Sequence, residues 1–532
     1  MTWWRLFGLL AQMRRPISQL EPNGGGLAVF DVSAPSSGAD AVCSWLARVV
    51  QAQPERAALH FGPSSWTYSE LWQNTTQMAQ RIRALPGYEV GCRIGLVGTN
   101  TPEYLAAYLG AILAQAVVVP LNARLRPDEL AAQLEFVEAI GCIIGEGIAA
   151  LGGALAESFP TWPLTDTGPT NQGPLGPSDP DSPAVILLTS GSTGRPKGVV
   201  HSQRTLLHAA LLMAIALPYG RGDVSIAFLP FFASMQEQVL PTLIAGGTLD
   251  VLQEFSVVDV CDACLRGSSF DAVPTIIARL LDEGDHAKLG RLHWVGFASE
   301  TMPPSLLQRW WAAFPDTQTF EFYGMTELLT ITHATPELLA ADPSTVGVAF
   351  PTSEVAVVDE DLRAVGPGVE GQVTCRSPAR MLGYWNDPAA TAQALTADGA
   401  ICTGDIGTLD GSGNLHLTGR LKDLIISGGL NIAPAEIETV ACTHPRIAAA
   451  AVVGIPDARW GETPVIVAVP TRGESLTEEE VLAHCRAKLS SYKRPSAAVV
   501  VPSLPVTGIG KSAKNELRQA ILKGDLALVR AG

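Results

Sequence analysis

The chain has 532 residues, more than one hydrophobic core usually serves, so its length predicts two or more domains. Hydrophobic residues make up 47% and charged residues 17%, a globular composition, and a net charge of −16 without a long basic run argues against nucleic acid as a partner. No apolar run reaches the roughly 18 residues of a transmembrane segment, and nine scattered cysteines favour a reducing, cytoplasmic location.

The first 37 residues differ in character from the rest of the chain. Trp3, Trp4 and Phe7 make residues 1–13 apolar, but Arg5 interrupts the run and no small-residue cleavage site follows, which argues against a signal peptide. A membrane-surface segment, a helix packed on the body and a start codon placed too early all stay open. Residues 17–37 are rich in Gly, Pro and Ser, so we expect residues 1–37 to be partly irregular.

Helices and strands alternate from about residue 40 onward. The sequence predicts three helices: one over 41–53, one that begins at the capping box of Thr67 and Glu70, and one over 102–115. It predicts strands at 57–61, 93–97 and 117–121. This alternation is typical of a parallel, doubly wound sheet. Residues 161–183 carry many Pro, Gly, Thr and Asp residues and are predicted to form a loop.

The stretch from Thr189 to Val199 is the strongest chemical signal. It follows an apolar run at 184–188, a predicted buried strand, and precedes a predicted helix over 203–217. Glycine backbone N–H groups, hydroxyls and a lysine can together hold phosphate oxygens. The Walker pattern fails because Pro196 stands where its second glycine belongs. We expect a different phosphate loop, rather than a plain surface loop, formed by Thr189, Ser190, Gly191, Ser192, Thr193, Gly194 and Lys197.

Three later motifs suit the rest of a nucleotide. In Tyr323-Gly324-Met325-Thr326-Glu327-Leu328 the tyrosine can stack on adenine, the threonine can hold a phosphate and the glutamate can bind Mg²⁺. Asp405 follows Gly404 and can accept hydrogen bonds from both ribose hydroxyls. Lys511 follows a Gly-rich loop and can neutralise charge between a carboxylate and a phosphate. Each motif has an alternative interpretation without nucleotide binding. The first could serve core packing, the second could be an Asp turn, and the third could be a solvated lysine.

Two other patterns are interpreted as structure only. Cys261 and Cys264 form a CxxC without a second pair nearby, so two buried thiols are expected rather than zinc or redox chemistry. Thr477 and Glu480 have capping-box spacing and open a helix whose apolar face packs on the core.

Taken in order, the motifs resemble those of the adenylate-forming superfamily: the acyl-CoA synthetases, luciferases and peptide-synthetase adenylation domains. The resemblance covers about residues 40–520. It implies an α/β fold, in which a large N-terminal domain with doubly wound mixed sheets carries a small mobile α/β C-terminal domain. We expect these domains at 1–421 and 422–532, with the hinge near Lys422.

The same resemblance assigns roles to individual residues. Lys511, Thr326 and Glu327 are expected to be catalytic, with Glu327 the ligand of Mg²⁺. Gly428 and Gly429 border the tunnel for the pantetheine arm of CoA. The remaining nucleotide contacts fall on Ala298, Ser299, Glu300, Tyr323, Gly324, Asp405 and Arg420.

The acyl pocket is expected at Phe231, Phe232, Ala233 and Gly324, and here the chain departs from its relatives. Phe232 occupies the position where peptide-synthetase domains carry an Asp for the substrate's amino group, so an amino acid is disfavoured. Ala233 replaces a His of many acyl-CoA synthetases, which leaves room for a bulky group. We expect an aromatic, alicyclic or medium-chain acid; packing of both residues in the core is the alternative.

The implied reaction is ATP-dependent, with Mg²⁺ as cofactor. A carboxylate is converted to acyl-AMP with release of pyrophosphate, and CoA then accepts the acyl group as a thioester. An amine or a carrier-protein thiol is the alternative acceptor. A different class, a nucleotide-binding homologue without activity, is disfavoured by the presence of Lys511, Glu327 and Asp405.

Overall fold

The computed structural model describes residues 41–164, 179–190, 196–300, 302–427, 430–457, 459–505 and 513–530. The predictions for residues 1–37, for Gly191, Ser192, Thr193 and Gly194, for Gly428 and Gly429, and for Lys511 lie outside the described residues. Among the helices of the described part, none is both long and apolar enough to cross a membrane.

The largest sheet has six parallel strands in its centre and antiparallel strands at both edges. Parallel strands buried on both faces are typical of α/β proteins, so this sheet agrees with the predicted fold class. Within the described residues its nine strands follow the spatial order Val348–Ala349, Thr332–Ala334, Gln318–Tyr323, Trp294–Phe297, Ser269–Ala272, Val224–Ala227, Thr248–Val251, Ala57–Phe61 and Ser64–Thr67.

A second mixed sheet carries the predicted phosphate loop near one edge. The order of its seven strands, counted over the same described ranges, is Gly383–Tyr384, Pro196–Ser202, Pro183–Ser190, Val117–Leu121, Arg93–Val97, Ala139–Ile144 and Thr161–Pro163. The first two strands pair antiparallel with their neighbours, and the others run parallel.

Two smaller sheets complete the described structure. One is antiparallel and consists of Glu354–Val358, Gly371–Arg376, Ile401–Leu409 and Leu415–Arg420. A short 3₁₀ turn, Leu421–Asp423, connects it to the C-terminal mixed sheet. That sheet contains Leu430–Ile432, Ile425–Ser427, Gly461–Pro470, Ala497–Val500 and Val529–Arg530, and Ile447–Asp457 pairs with Gly461–Pro470.

The helices pack their apolar residues against these sheets. Those of eight or more residues are Val42–Ala52, Tyr68–Ile82, Pro102–Leu113, Pro127–Phe136, Ala149–Ala156, Gln203–Ala216, Pro274–Glu283, Pro304–Ala313, Pro434–Cys442, Glu478–Lys488 and Lys514–Lys523. The shorter ones are Phe231–Ser234, Leu240–Ile244, Val257–Ala263, His286–Leu289, Pro336–Ala341 and Pro388–Gln393, with a π-helical turn at Met235–Val239 and a 3₁₀ turn at Ser491–Lys493.

Local sequence signals located several of these elements. Both predicted capping boxes are confirmed: each threonine side chain accepts from the N–H of the glutamate, whose side chain accepts from the threonine N–H. The strands at 57–61, 93–97 and 117–121 have the predicted bounds. The loop prediction for 161–183 is wrong at its start, because Thr161–Pro163 pairs with the strand Ala139–Ile144.

The cysteines agree with the expectation of buried thiols. All nine are free, and Cys261 and Cys264 are buried. The Cys261 sulfur accepts a hydrogen bond from the Asp285 N–H, and burial raises the pKa of Cys264 to about 12. The described residues contain no group of three or more side chains arranged to hold a metal ion.

Glu321, on the strand Gln318–Tyr323, has a carboxyl group inside the large sheet and is 4% exposed. Burial raises its pKa to about 8, and an N–H donor from Met302 opposes this only in part. Because the folded protein holds the proton of Glu321 more tightly than the unfolded chain does, the group favours folding at low pH. This contribution to the free energy of unfolding is fully present below the pKa of Glu321 in the unfolded chain, and it is lost as pH rises through about 8. Above that pH the folded protein must keep a buried carboxylate.

Glu321→Gln should therefore stabilise the protein increasingly from pH 6 to pH 9, because glutamine can accept the same N–H but cannot ionise. The gain in melting temperature at pH 9 should be a few degrees, since each pKa unit corresponds to about 1.4 kcal/mol. Thermal denaturation of both proteins across this range measures it. Glu360→Gln, at an exposed site, is the control and should show no such trend. If the difference in melting temperature between Glu321→Gln and the wild type stayed constant with pH, the explanation would be contradicted.

Candidate active site

The predicted phosphate loop joins two strands. Strand Pro183–Ser190 pairs antiparallel with Pro196–Ser202, with Thr189 opposite Lys197, and helix Gln203–Ala216 follows directly. The expectation that a loop alone joins the first strand to this helix is therefore wrong. Val199 and Val200, two residues typical of strands, were the available signal for the second strand. The loop between the strands lies outside the described residues, whereas Thr189 and Lys197 flank it on neighbouring strands.

Lys197 lies beside the short edge strand Gly383–Tyr384. Its Nζ is 4.5 Å from the centre of the Tyr384 ring, a cation–π geometry. The Trp385 N–H donates to the Gly198 carbonyl at 2.7 Å. A Cβ added at Gly198 would be 2.9 Å from Ile186 Cγ2 and 3.0 Å from Trp385 Cβ, so glycine allows this close approach.

The Tyr323–Leu328 motif begins at the end of a buried strand and turns immediately. A Cβ at Gly324 would lie 2.1 Å from the Leu329 carbonyl oxygen, so only glycine fits there. Thr326 and Glu327 follow and are half-buried. After the turn, the Thr326 carbonyl contacts His201 of the strand Pro196–Ser202, and the Glu327 side chain contacts Tyr384 of the edge strand.

His201 connects the two motifs. Its Nε2 donates to the Thr326 carbonyl at 2.7 Å, and its Nδ1 lies 3.2 Å from Thr205 Oγ1. Burial lowers the pKa of His201 to about 4, so the ring is neutral near pH 7. A carbonyl only accepts, which makes Nε2 the protonated nitrogen and Nδ1 the acceptor. The sequence analysis did not identify His201, because its partner is 125 residues away.

Tyr384 was also missed. Its hydroxyl donates to Glu327 Oε1 at 2.7 Å, while its ring contacts Lys197. Burial, with a smaller contribution from the Glu327 charge, raises the pKa of Tyr384 far above its usual value, so the hydroxyl stays a donor. The available signal was Gly383-Tyr384-Trp385, an aromatic pair after glycine that the sequence analysis passed over.

Asp405 and Arg420 face each other on adjacent antiparallel strands. Arg420 Nε is 2.7 Å from Asp405 Oδ1, and the Tyr323 hydroxyl donates to Oδ2 at 2.5 Å. Asp405 is 4% exposed and lies within the strand Ile401–Leu409, so the alternative of an Asp turn is excluded. Each carboxylate oxygen has two lone pairs, so both keep acceptor capacity for ribose hydroxyls.

Tyr323 has a position different from the one expected of a simple stacking residue. Its side chain is 8% exposed and packs with Val199 and Leu328, and its hydroxyl is used by Asp405. Stacking on adenine stays a prediction. The observed contact is the hydrogen bond from its hydroxyl to Asp405.

The predicted adenine segment follows the strand Trp294–Phe297. Ala298 is buried, and Ser299 has φ +76°, in the left-handed region that few residues other than glycine adopt. Such backbone strain is concentrated at ligand sites. The contacts of Ala298, Ser299 and Glu300 with adenine stay predictions.

The acyl-pocket prediction needs a correction at Phe231. This ring is 1% exposed and packs on Tyr104 at 6.0 Å between ring centres, and its N–H donates to Asn100 Oδ1. Phe231 is therefore a core residue, an outcome that the core-packing alternative for Phe232 and Ala233 did not cover. Phe232 and Ala233 are half-buried in the same helical turn and stay pocket candidates.

The predicted hinge lies where the chain enters the C-terminal sheet. Lys422 is exposed in the 3₁₀ turn Leu421–Asp423. Ile426 and Leu430, on either side of the predicted CoA-tunnel glycines, are 56% and 50% exposed. This exposure leaves an apolar surface beside the predicted tunnel.

The donor set fits Mg²⁺ bound together with ATP. Among the described residues, Glu327 uses only Oε1 in a hydrogen bond, which leaves Oε2 for a cation. Mg²⁺ commonly binds through one or two carboxylates plus substrate phosphates, so a single glutamate beside a phosphate loop suffices. When bound, the ion would neutralise charge on the phosphates.

Comparisons with known proteins show the family of the chain. The sequence model of the AMP-binding enzyme family matches residues 46–385, and that of the AMP-binding enzyme C-terminal domain matches residues 436–511. A feruloyl-CoA synthase of an Amycolatopsis species is 33% identical over 496 residues, covering 90% of this chain and 98% of that protein.

Two solved structures are similar over nearly their whole length. ATP-bound MatB from Rhodopseudomonas palustris is 28% identical with a TM-score of 0.81, covering 90% of this chain and 98% of that one. The amide bond synthetase McbA from Marinactinospora thermotolerans is also 28% identical with a TM-score of 0.81, covering 90% and 99%. The predicted superfamily and fold class are thereby confirmed. The chain belongs to the AMP-binding enzyme family and is an AMP-forming ligase of the acyl-CoA synthetase type.

Proposed function

We propose that this enzyme activates a carboxylic acid that is not an amino acid, through acyl-AMP, and transfers the acyl group to CoA. The observation that carries the proposal is the continuous set of contacts along the Tyr323–Leu328 segment. At one end Tyr323 contacts Asp405, which pairs with Arg420, and at the other Glu327 contacts Tyr384, which contacts Lys197. One short segment thus supports both the ribose and the phosphate ends of a nucleotide.

In the first step a carboxylate oxygen attacks the α-phosphorus of ATP. A bond forms between the carboxylate oxygen and the α-phosphorus. The bond between the α-phosphorus and the oxygen that bridges it to the β-phosphate breaks, and pyrophosphate leaves. Negative charge develops on the phosphate oxygens, which cations held in place stabilise best. We assign this task to Lys197 and Lys511, and the ribose contacts to Asp405 and Arg420. Adenylation gives the acyl group a good leaving group, AMP.

In the second step the CoA thiolate attacks the acyl carbon and AMP leaves. We propose that residues 422–532 form the mobile domain and turn about Lys422, which withdraws Lys511 and presents Gly428 and Gly429. The short turn Leu421–Asp423 between two separate sheets supports this boundary. A moving domain allows one site to serve two reactions.

The acid is proposed to be aromatic, alicyclic or medium-chain. Phe232 cannot pair with an ammonium group, and Ala233 beside it is small. The similarity to a feruloyl-CoA synthase favours an acid that contains an aromatic ring. Nine free thiols support a reducing, cytoplasmic location for the reaction.

Amide formation is the second candidate, and the similarity to an amide bond synthetase favours it specifically. Adenylation would be the same, but an amine would attack the acyl-AMP. Delivery to a carrier-protein thiol would also keep the first step. The three candidates differ only in the acceptor, so the nucleotide residues do not distinguish them.

The test is a panel of carboxylic acids incubated with ATP and Mg²⁺, without acceptor, with CoA, or with mixed amino acids. Pyrophosphate release gives turnover, and mass spectrometry identifies products. Multiple turnover with a thioester formed only with CoA is the expected result. Amide products that CoA does not affect would replace the proposal by the second candidate. No pyrophosphate release with any acid would refute both.

A further inference from the structure

Tyr384 contacts the two charged side chains that the proposed function assigns to the ATP phosphates. We propose that Tyr384 is a positioning residue: its hydroxyl orients the Glu327 carboxylate toward the metal–nucleotide complex, and its ring holds the Lys197 ammonium in place. This inference rests on the proposed function, and it concerns a residue of the edge strand rather than of the nucleotide motifs.

The hydroxyl contact matters because the backbone around Glu327 is already fixed. The Met381 N–H donates to the Glu327 carbonyl at 2.8 Å, and His201 donates to the Thr326 carbonyl. The remaining freedom is in the side-chain torsions of Glu327. The hydrogen bond to Oε1 restricts these torsions and so narrows the directions in which Oε2 can point.

The ring contact acts on the opposite charge. Lys197 Nζ lies over the Tyr384 ring at 4.5 Å, and the flexible lysine stem would otherwise sample many rotamers. Lys197 also belongs to the strand Pro196–Ser202, which enters the site directly after the phosphate loop. One aromatic side chain thus reduces the freedom of a cation and an anion that both face the phosphates.

Tyr384 is itself held firmly enough to orient its neighbours. Its backbone pairs with Val199, and its N–H donates to Thr391 Oγ1 at 2.9 Å. On the next residue, the Trp385 N–H donates to Gly198. The strand that carries Lys197 therefore also fixes the position of Tyr384.

The two contacts can be separated by substitution. Tyr384→Phe keeps the ring under Lys197 and removes the hydroxyl, whereas Tyr384→Leu removes both. Tyr88→Phe is the matched control, since it deletes a hydroxyl that donates to the Ala114 carbonyl at 2.5 Å, far from these motifs in sequence and in a separate contact network. Circular dichroism and melting temperature check that each variant is folded.

Dissociation constants measured by isothermal titration calorimetry, for ATP with Mg²⁺ and for ATP with EDTA, are the main readout. For Tyr384→Phe we expect roughly tenfold weaker binding of Mg–ATP, the usual cost of losing a partner that orients a metal ligand. Binding of metal-free ATP should stay within about twofold of wild type. Tyr384→Leu should also weaken metal-free ATP, because Lys197 is released. In turnover, Tyr384→Phe should recover most of its rate when Mg²⁺ is raised.

Equal Mg–ATP affinities for Tyr384→Phe and Tyr88→Phe would overturn the inference. So would a loss in Tyr384→Phe that is the same with and without Mg²⁺, since a merely structural role would weaken both. If the wild-type enzyme bound no Mg–ATP at all, the proposed function itself would fail and this inference with it. Normal wild-type binding combined with a normal Tyr384→Phe variant would reject the inference alone.

Discussion

The Lys511→Ala variant is expected to lose acyl-AMP formation by roughly 10²–10³-fold while it still converts supplied acyl-AMP and CoA to the thioester. The physical reason is that a held cation stabilises charge that develops between the attacking carboxylate and the α-phosphate, and losing one such group costs about this factor. In the second half-reaction Lys511 is proposed to have been withdrawn with the mobile domain, so its loss should matter little there. ATP–pyrophosphate exchange measures the first step, and thioester formation from synthetic acyl-AMP measures the second.

Lys514→Ala is the matched control for this experiment. Lys514 lies three residues further along the chain, but its Nζ is 2.6 Å from Glu438 Oε1 within the C-terminal region. Lys514→Ala removes one positive charge from the same part of the chain as Lys511→Ala does, but Lys514 has no proposed contact with ATP. Equal losses in the two half-reactions of Lys511→Ala, or equal losses in the two variants, would contradict the role of Lys511.

The Asp405→Asn variant should lose at least about 10²-fold in kcat/KM for ATP. Hydrogen bonds to a charged acceptor contribute roughly 1.5–3 kcal/mol each, and the ribose has two hydroxyls to offer. The amide has nearly the same shape, but it lacks the charge and replaces one acceptor oxygen by a donor. That donor would face either the Arg420 guanidinium or the Tyr323 hydroxyl, both of which donate to the carboxylate.

The affinity for AMP distinguishes binding from a purely structural effect of Asp405. Titration calorimetry should show that Asp405→Asn binds AMP more weakly than the wild type. The order of preference among acids, measured by turnover, should stay unchanged. Asp361→Asn is a suitable control, because Asp361 and Arg363 also form a pair at 2.7 Å but are exposed. Exposed pairs contribute little. A normal AMP affinity in Asp405→Asn with a lower melting temperature would show that the carboxylate serves only the fold.

The part of the site that follows local rules was predictable from sequence. Gly324 is required by a turn within the motif, Asp405 and Arg420 lie in short recognisable motifs, and Thr67 and Glu70 form their capping box over three residues. In each case the determining contact is close in sequence, or the motif's residue types are specific to nucleotide chemistry. The order of these motifs also indicated the superfamily that the comparisons confirm.

Contacts between distant segments were not predictable. The hydroxyl of Tyr384 reaches Glu327 across 57 residues, and His201 reaches the Thr326 carbonyl across 125. Phe231 looked like a pocket residue because its neighbours in sequence are pocket candidates, but packing on Tyr104 buries it. The pairing of the strand Pro196–Ser202 with the distant edge strand Gly383–Tyr384 was likewise not predictable.

The sequence by itself determined the superfamily through the order of its motifs, and it predicts which residues carry the chemistry: a phosphate loop, a carboxylate for the metal, a carboxylate for the ribose and a lysine. Only the tertiary structure decided how these residues are held. Strand register places Arg420 opposite Asp405, and an edge strand brings Tyr384 between Lys197 and Glu327. Residue type and local spacing report the interactions of near neighbours, whereas sheet pairing and burial depend on the packing of the whole chain.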